Sequence, residues 1–351
     1  MGRGAGRALC LAALLWPAGL RATVLSAVGD VLLWYGPMRG TLQDLSATAR
    51  RPWDVPVYPF ARVESQLKGL VFGNLEGPLT GARTHRFKPK WMRFYFKSPA
   101  GEAVAALKQG GFRVMSVANN HSMDSGEAGL RDTLAALDEG DIVAAGAGAD
   151  ESLARRPAQV PDGHGNTITF LAFCAVGPPG TFATRTRAGA AFADPDTVVA
   201  AVRAAARAGG TVVLSLHWGI EKKRDLPVPD PQVWQRDLAH RAIDAGAVLV
   251  LGHHPHVVGR FEEYKSGLIA YSLGNFLFSG ARIRGRRKSV ILHVDFSRAG
   301  VRAWNLVPVD TDPPEHPFQT QPLGQDAARA YLRQILGERT PGKYGWPAPA
   351  P

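Results

Sequence analysis

Three histidines stand within four residues of the sequence, at His253, His254 and His256. They follow a run of strand-forming residues that ends at Gly252. Neutral imidazole is the commonest protein ligand for a transition metal. A His-x-His pair at the end of a strand can direct two rings into one pocket. The spacing therefore indicates a metal site at this strand end.

Polar residues also end other strand-like runs of the chain. These residues are Asp30, Asn74, Glu76, Asn119, Asn120, His121 and His217. Open α/β sheets bind their ligands at the carboxyl ends of the strands. Carboxylate, amide and imidazole groups together suit Mn²⁺, Fe or Zn²⁺, and no cysteine lies in these clusters. A pair of such metals needs a bridging carboxylate. Together the two metals would bind the attacking and the leaving oxygen of an in-line displacement.

Strand-like and helical patterns alternate along the chain. Strands are predicted at 23–28, 70–76, 112–118, 142–145, 168–176, 211–217, 247–251, 268–272, 289–296 and 301–309, with a hairpin over 160–168. Helices are predicted at 61–69, 102–109, 126–137, 194–208 and 231–245. This order predicts an α/β fold with its site along one sheet edge. No linker divides the chain, so we predict one domain over 23–310 and a terminal helix with a disordered tail over 311–351.

The composition is that of a basic globular protein, with 351 residues and a net charge of +11. A basic surface favours an anionic partner, although a solvated arginine-rich surface explains the charge equally well. Two basic loops, over 80–97 and 282–288, are either anion clamps or solvated charge. No basic run alternates with aromatic residues, so we predict no nucleic-acid partner. The two cysteines do not make a disulfide framework.

Residues 1–22 have the pattern of a signal or anchor segment. Arg3 and Arg7 precede an apolar run over 8–16, but no small-x-small cleavage site follows. No other stretch approaches the roughly 18 apolar residues of a membrane span. We therefore expect an exported or envelope-associated protein, with a cytoplasmic one as the alternative.

Six motifs, in a fixed order along residues 23–280, carry a resemblance to a known family. They are Gly29-Asp30, Asn74-Leu75-Glu76-Gly77-Pro78, Ala118 to Asp124, His217-Trp218-Gly219, Gly252 to His256, and Tyr271 to Phe276. This set resembles the CapA (PgsA) poly-γ-glutamate capsule-synthesis family, which is similar to the calcineurin-like metallophosphoesterases. The resemblance implies a four-layer α/β/β/α sandwich and a role in making poly-γ-glutamate or a related anionic polymer.

The resemblance also implies ligands for two divalent metals. Asp30 and His256 would bind the first metal, and Glu76 would bridge the pair. The ligands of the second metal would be Asn120, His217 and His254.

One position departs from the phosphoesterase pattern. Those enzymes usually carry Asp-x-His after the first strand, whereas this chain reads Asp30-Val31-Leu32. The first metal would lose an imidazole, which leaves a weaker first site, a single metal or a site used only for binding as alternatives.

Other residues take supporting roles in the same comparison. His121 would protonate the leaving group, and Asp124 would orient His121. Contacts to the ligands or the substrate would come from Asn74, Asn119, His253 and Asn275. Hydrogen bonding within loops is the alternative interpretation of these four.

Three functions follow from these residues. The first is a metal-dependent hydrolase or transferase acting on an anionic polymer or a phosphate-type substrate. The second is a non-catalytic subunit of a membrane-bound complex that synthesises or exports the polymer. The third is a generic phosphoesterase.

Overall fold

The computed structural model describes residues 22–33, 58–82, 95–221, 230–278 and 286–337. Residues 1–21 of the predicted signal segment, most of the loop over 80–97, residues 282–285 and the tail after Arg339 lie outside these ranges. Among the described helices, none is long and apolar enough to cross a membrane.

The described strands and helices follow the alternation that the sequence predicts. The strands are β1 (Thr23–Leu32), β2 (Leu70–Leu75), β3 (Phe112–Ser116), β4 (Val143–Ala145), β5 (Ala147–Gly148), β6 (Ala158–Pro161), β7 (Thr167–Cys174), β8 (Gly189–Ala190), β9 (Thr211–His217), β10 (Ala247–His253), β11 (Phe261–Tyr264), β12 (Gly267–Ala270), β13 (Asn275–Phe278), β14 (Lys288–Ser297), β15 (Gly300–Asp310) and β16 (Gln321–Pro322). The α-helices are α1 (Ala100–Gln109), α2 (Gly126–Glu139), α3 (Glu151–Ala154), α4 (Pro195–Arg207), α5 (Val233–Ala245) and α6 (Gln325–Leu336).

Two large mixed sheets form the centre of the molecule. One has the order β16-β15-β14-β1-β2-β3-β4, with β13 also paired to β1, and the other has the order β11-β12-β10-β9-β7-β6. The central pairs β1–β2, β2–β3, β7–β9 and β9–β10 are parallel. The register places Asp30 beside both Asn74 and Asn275, and His217 beside His253. Strand pairing alone therefore aligns the predicted site residues within each sheet.

Hydrophobic packing separates the fold into four layers. Between the sheets, Phe72 of β2 stacks on Phe170 of β7 with ring centroids 5.3 Å apart. The outer face of the first sheet packs against Leu107 of α1 and Leu137 of α2. The outer face of the second sheet packs against α4 and α5, for example through Val202. The predicted four-layer α/β/β/α sandwich is confirmed.

Some local expectations differ from the structure. The predicted helix over 61–69 is a set of turns with one 3₁₀ turn at Glu64–Gln66. The buried side chains of Phe60 and Val63 anchor this segment, and Gly69 at φ +64° redirects the chain into β2. The short strands β5, β8, β11, β13 and β16 were not predicted from the sequence, because strands of two to four residues carry little periodicity.

The C-terminal segment packs against the sheets. Strand β16 pairs with β15, and Tyr331, Leu332 and Ile335 of α6 are buried in the hydrophobic cluster between the two sheets. Residues 321–336 therefore contact the domain predicted over 23–310.

Replacing the aromatic ring at the centre of this core should destabilise the fold. Phe170→Ala removes a side chain that is 0% exposed, so we expect a loss of about 3–5 kcal/mol in the free energy of unfolding. Urea denaturation measures this loss. Val233→Ala serves as the control, because Val233 is 88% exposed and its truncation should change stability by about 0.5 kcal/mol or less. Equal effects of the two changes would contradict this description of the core.

Candidate metal centre

The residues predicted for the site meet where the carboxyl ends of strands from both sheets converge. All of them are buried, and each contacts at least one other member of the set. They are Asp30, Asn74, Glu76, Asn119, Asn120, His121, Asp124, His217, His253, His254, His256 and Asn275.

Asp30, Glu76 and His256 form the first group of potential ligands. One nitrogen or oxygen from each lies within 4.8 Å of the others. Asp30 Oδ2 is 3.3 Å from His256 Nδ1, and Glu76 Oε1 is 3.7 Å from His256 Nε2. Two carboxylates around one imidazole concentrate negative charge at a buried point.

The Glu76 carboxylate provides the test of whether a cation fits here. Both of its oxygens are buried, and neither accepts a hydrogen bond from the residues that the structure describes. Burying a carboxylate without donors is costly unless a cation compensates it. Among the described residues, Nδ1 of His254 and both ring nitrogens of His253 also have no hydrogen-bond partner, although His253 Nδ1 lies 3.5 Å from Asp30 Oδ1. These orphaned oxygen and nitrogen atoms suit a divalent transition metal.

Asn120, His217 and His254 form a second group. Asn120 Oδ1 lies 2.7 Å from His217 Nε2, and the rings of His217 and His254 are 4.9 Å apart. The structure therefore brings together the residues predicted for the second metal, and their roles as ligands stay predictions.

The backbone of the histidine motif is strained. His254 has φ +98° and His256 has φ +59°, and residues other than glycine rarely adopt positive φ. Such conformations cluster at functional sites, where the surrounding structure holds them in place. These two backbone conformations turn the chain directly after β10, so that the rings of His254 and His256 both lie in the centre.

Two asparagines, Asn74 and Asn275, contact the potential ligands directly, and Asn119 contacts Asn74. Asn74 Nδ2 donates to Asp30 Oδ1 at 2.9 Å, and Asn119 Nδ2 donates to Asn74 Oδ1 at 3.2 Å. Asn275 Oδ1 lies 2.9 Å from His256 Nδ1. Each of these asparagine side chains therefore contacts a residue from another segment of the chain, in addition to any hydrogen bonds within its own loop.

His121 and Asp124 form a pair at the edge of the first group. His121 Nδ1 lies 2.7 Å from Asp124 Oδ2, which also accepts a hydrogen bond from the Phe96 backbone N–H at 2.7 Å. His121 Nε2 is 3.9 Å from Glu76 Oε1, and the Phe96 ring packs on the imidazole at 4.2 Å. This arrangement turns Nε2 towards the carboxylates.

Comparison with known proteins identifies the family. A family model described as "Bacterial capsule synthesis protein PGA_cap" matches residues 24–280. The chain belongs to this family. Two PGA_cap relatives are the "PGA biosynthesis protein CapA" of Bacillus subtilis, 32% identical over 270 residues, and the "Capsule biosynthesis protein CapA" of Bacillus anthracis, 32% identical over 259 residues. The resemblance to the CapA family is confirmed.

The extent of these matches differs between the chains. The B. subtilis alignment covers 77% of this PGA_cap chain and 67% of its relative, and the B. anthracis alignment covers 72% and 61%. This chain thus spans about two thirds of the length of the two relatives. Among solved structures, Haemophilus influenzae NAD nucleotidase (NadN) is similar, with a TM-score of 0.44, 12% identity, and coverage of 89% of this chain and 62% of that chain.

Charges in the PGA_cap centre are strongly coupled. Burial opposes ionisation of Asp30, but its contacts with His253 and His256 outweigh burial and hold its pKa well below its usual range. Burial also opposes the charge of His256, but Glu76 and Asp30 outweigh it and raise the pKa of His256 to about 9. Burial, with the charges of Asp30 and Glu221, raises the pKa of Glu76 well above its usual range.

The two histidines of the second group have lowered pKa values, in contrast to His256. Burial and the neighbouring His254 imidazole lower the pKa of His217 well below its usual value. Burial and His256 lower the pKa of His254 to about 4. Both imidazoles are therefore neutral at pH 7, which is the form that binds a metal.

Two charged residues outside the predicted set of site residues also lie at this centre. Glu221 groups with His254 and His256, with ligand atoms within 4.8 Å of one another, and Arg286 Nη2 donates to Glu221 Oε2 at 3.2 Å. Glu221 follows His217 by four residues, and this proximity is the signal that could have identified it. Arg286 lies far away in the sequence, and only the fold brings it near.

Metal binding to this protein should release protons. His256, with a pKa of about 9, carries a proton at pH 7 that an imidazole ligand must lose, and Glu76 must ionise as well. Metal affinity should therefore fall as the pH is lowered from about 9. Calorimetric titration with Mn²⁺ or Zn²⁺ in buffers of different ionisation enthalpy counts the protons. A binding heat that does not depend on the buffer would contradict this prediction.

Proposed function

We propose that this PGA_cap protein is a metal-dependent hydrolase-type enzyme in the synthesis of a capsule polymer. The observation that carries the proposal is the buried Glu76 carboxylate, which lacks hydrogen-bond donors among the described residues and faces His256 and His121. The names of the Bacillus relatives support a capsule context. We infer that the substrate is poly-γ-glutamate, a related anionic polymer or a phosphate-type precursor.

Two groups of residues would hold the metal ions. Asp30, Glu76 and His256 make up the first group, and the second consists of Asn120, His217 and His254. A bound divalent metal would polarise the scissile group and lower the pKa of a water molecule. Mn²⁺, Fe and Zn²⁺ are each compatible with this set of oxygen and nitrogen donors.

His121 would handle the proton of the leaving group. The Asp124 carboxylate accepts the Nδ1 proton of His121 and thereby fixes the orientation of the ring. Nε2 then faces the Glu76 side of the centre, where a proton on Nε2 can pass to the leaving oxygen or nitrogen. The Phe96 ring, packed against the imidazole, shields this pair from water.

A non-catalytic role in polymer assembly is the second candidate. Leu32 occupies the position where phosphoesterases usually carry an imidazole, and it is buried in the core at 1% exposure. A centre with this weaker first site could bind an anionic chain without cleaving it. The net charge of +11 suits the binding of an anionic chain as well as it suits catalysis on one. In this role the protein would belong to a membrane-bound synthesis complex at the cell envelope.

Removing the proton donor distinguishes the two roles. With Mn²⁺ bound, His121→Ala should lower kcat by about 10²–10⁴-fold, and Asp124→Asn should lower it by a smaller factor, because Asp124 only orients the imidazole. Turnover of phosphomonoesters, phosphodiesters and γ-glutamyl peptides measures the effect. His240→Gln is the control, since His240 of α5 pairs with Glu262 of β11 and neither belongs to the site residues.

The results separate the candidates clearly. Retained turnover in His121→Ala would exclude His121 as the proton donor. A wild-type protein that binds metal and polyglutamate but turns over none of these substrates would favour the assembly role.

A further inference from the structure

Glu221 extends the metal centre beyond the residues that the motifs assign. It follows β9 in the sequence, and its carboxylate and the ring nitrogens of His254 and His256 lie within 4.8 Å of one another. Its side chain is 48% exposed, so it stands at the solvent side of an otherwise buried cluster. Its carboxylate is thus close to both histidines of the His-x-His pair.

Arg286 holds Glu221 in this place. Arg286 Nη2 donates to Glu221 Oε2 at 3.2 Å, and the Arg286 side chain is only 10% exposed. The Arg286 backbone carbonyl accepts a hydrogen bond from Asn275 Nδ2 at 3.2 Å. Asn275 in turn lies 2.9 Å from His256 Nδ1. The same chain of contacts therefore positions His256 and the Glu221 carboxylate.

Two features of the centre call for another anionic ligand. His254 is 5% exposed, and its Nδ1 has no hydrogen-bond partner among the described residues. This buried ring nitrogen is therefore available to bind a metal. Leu32 also removes the imidazole expected beside Asp30. A carboxylate supplies both a ligand atom and a negative charge, and carboxylates favour Mn²⁺ over softer metals.

We propose that Glu221 is a further metal ligand, at the edge formed by His254 and His256, and that Arg286 is its positioning residue. The inference rests on the proposed metal-dependent function. It adds a third carboxylate ligand besides Asp30 and Glu76.

Metal binding by the whole 351-residue chain tests this proposal without any activity assay. Calorimetric titration of the chelator-treated protein with Mn²⁺ alone should show that Glu221→Gln weakens binding by about tenfold or more. The same change should weaken Zn²⁺ binding less, because Zn²⁺ relies more on the imidazoles. Glu221→Asp keeps the charge on a shorter side chain and should give an intermediate Mn²⁺ affinity.

A matched control comes from the Glu151–Arg155 pair of α3, which is similarly part-exposed. Glu151→Gln should leave Mn²⁺ affinity unchanged. The thermal midpoint of each metal-free variant should equal that of the wild type, because Glu221 is half-exposed. Unchanged Mn²⁺ affinity in Glu221→Gln, with normal binding by the wild type, would overturn the role of Glu221 alone. A wild type that binds no metal would overturn the proposed function together with this inference.

Discussion

The edge of the molecule that carries the site depends on one fully buried carboxylate. Asp30, on β1 of the first sheet, accepts a hydrogen bond from Asn74 and lies within 3.5 Å of ring nitrogens of His253 and His256, at the end of β10 in the second sheet. A buried carboxylate without such partners would be strongly destabilising. Satisfying this single acid therefore ties the two sheets together at the edge where the potential metal ligands lie.

Close backbone approach makes this junction geometrically feasible. A Cβ atom at Gly29 would lie 1.9 Å from the carbonyl oxygen of Gly274, and one at Gly252 would lie 2.1 Å from that of Tyr271. No side chain fits at either position. The two glycines thus allow β1 and β10 to end against the segment that precedes Asn275, and this approach brings the carboxylate, the imidazoles and the amide into one cluster.

The apolar core also shapes the chemistry of the site. Phe72, whose ring stacks on Phe170 between the sheets, lies 6.0 Å from the ring of His253. The polar cluster therefore rests directly on a hydrophobic layer, where electrostatic interactions are stronger than in water. This environment explains why the pKa values of Glu76 and His256 move so far from their usual ranges.

Much of the fold, and the gathering of the predicted polar residues at one edge, were predictable because the signals are local. Several parallel strands, such as β9 and β10, are hydrophobic runs that end in a polar residue, so the order of elements and many residues at the carboxyl ends could be predicted directly. The segment over 61–69 shows the limit of such signals. Its pattern suggested a helix, but the burial of Phe60 and Val63 and the left-handed Gly69 produced turns instead.

The sequence by itself determined the kind of donors and the strands that present them, because residue type and hydrophobic periodicity are properties of short stretches. Only the tertiary structure decided which donors meet. Arg286 reaches Glu221, and Asn74 links Asp30 to His217, through contacts between residues 44 to 143 positions apart in the sequence. These contacts follow from strand register and from packing between the sheets, which no short stretch of sequence encodes.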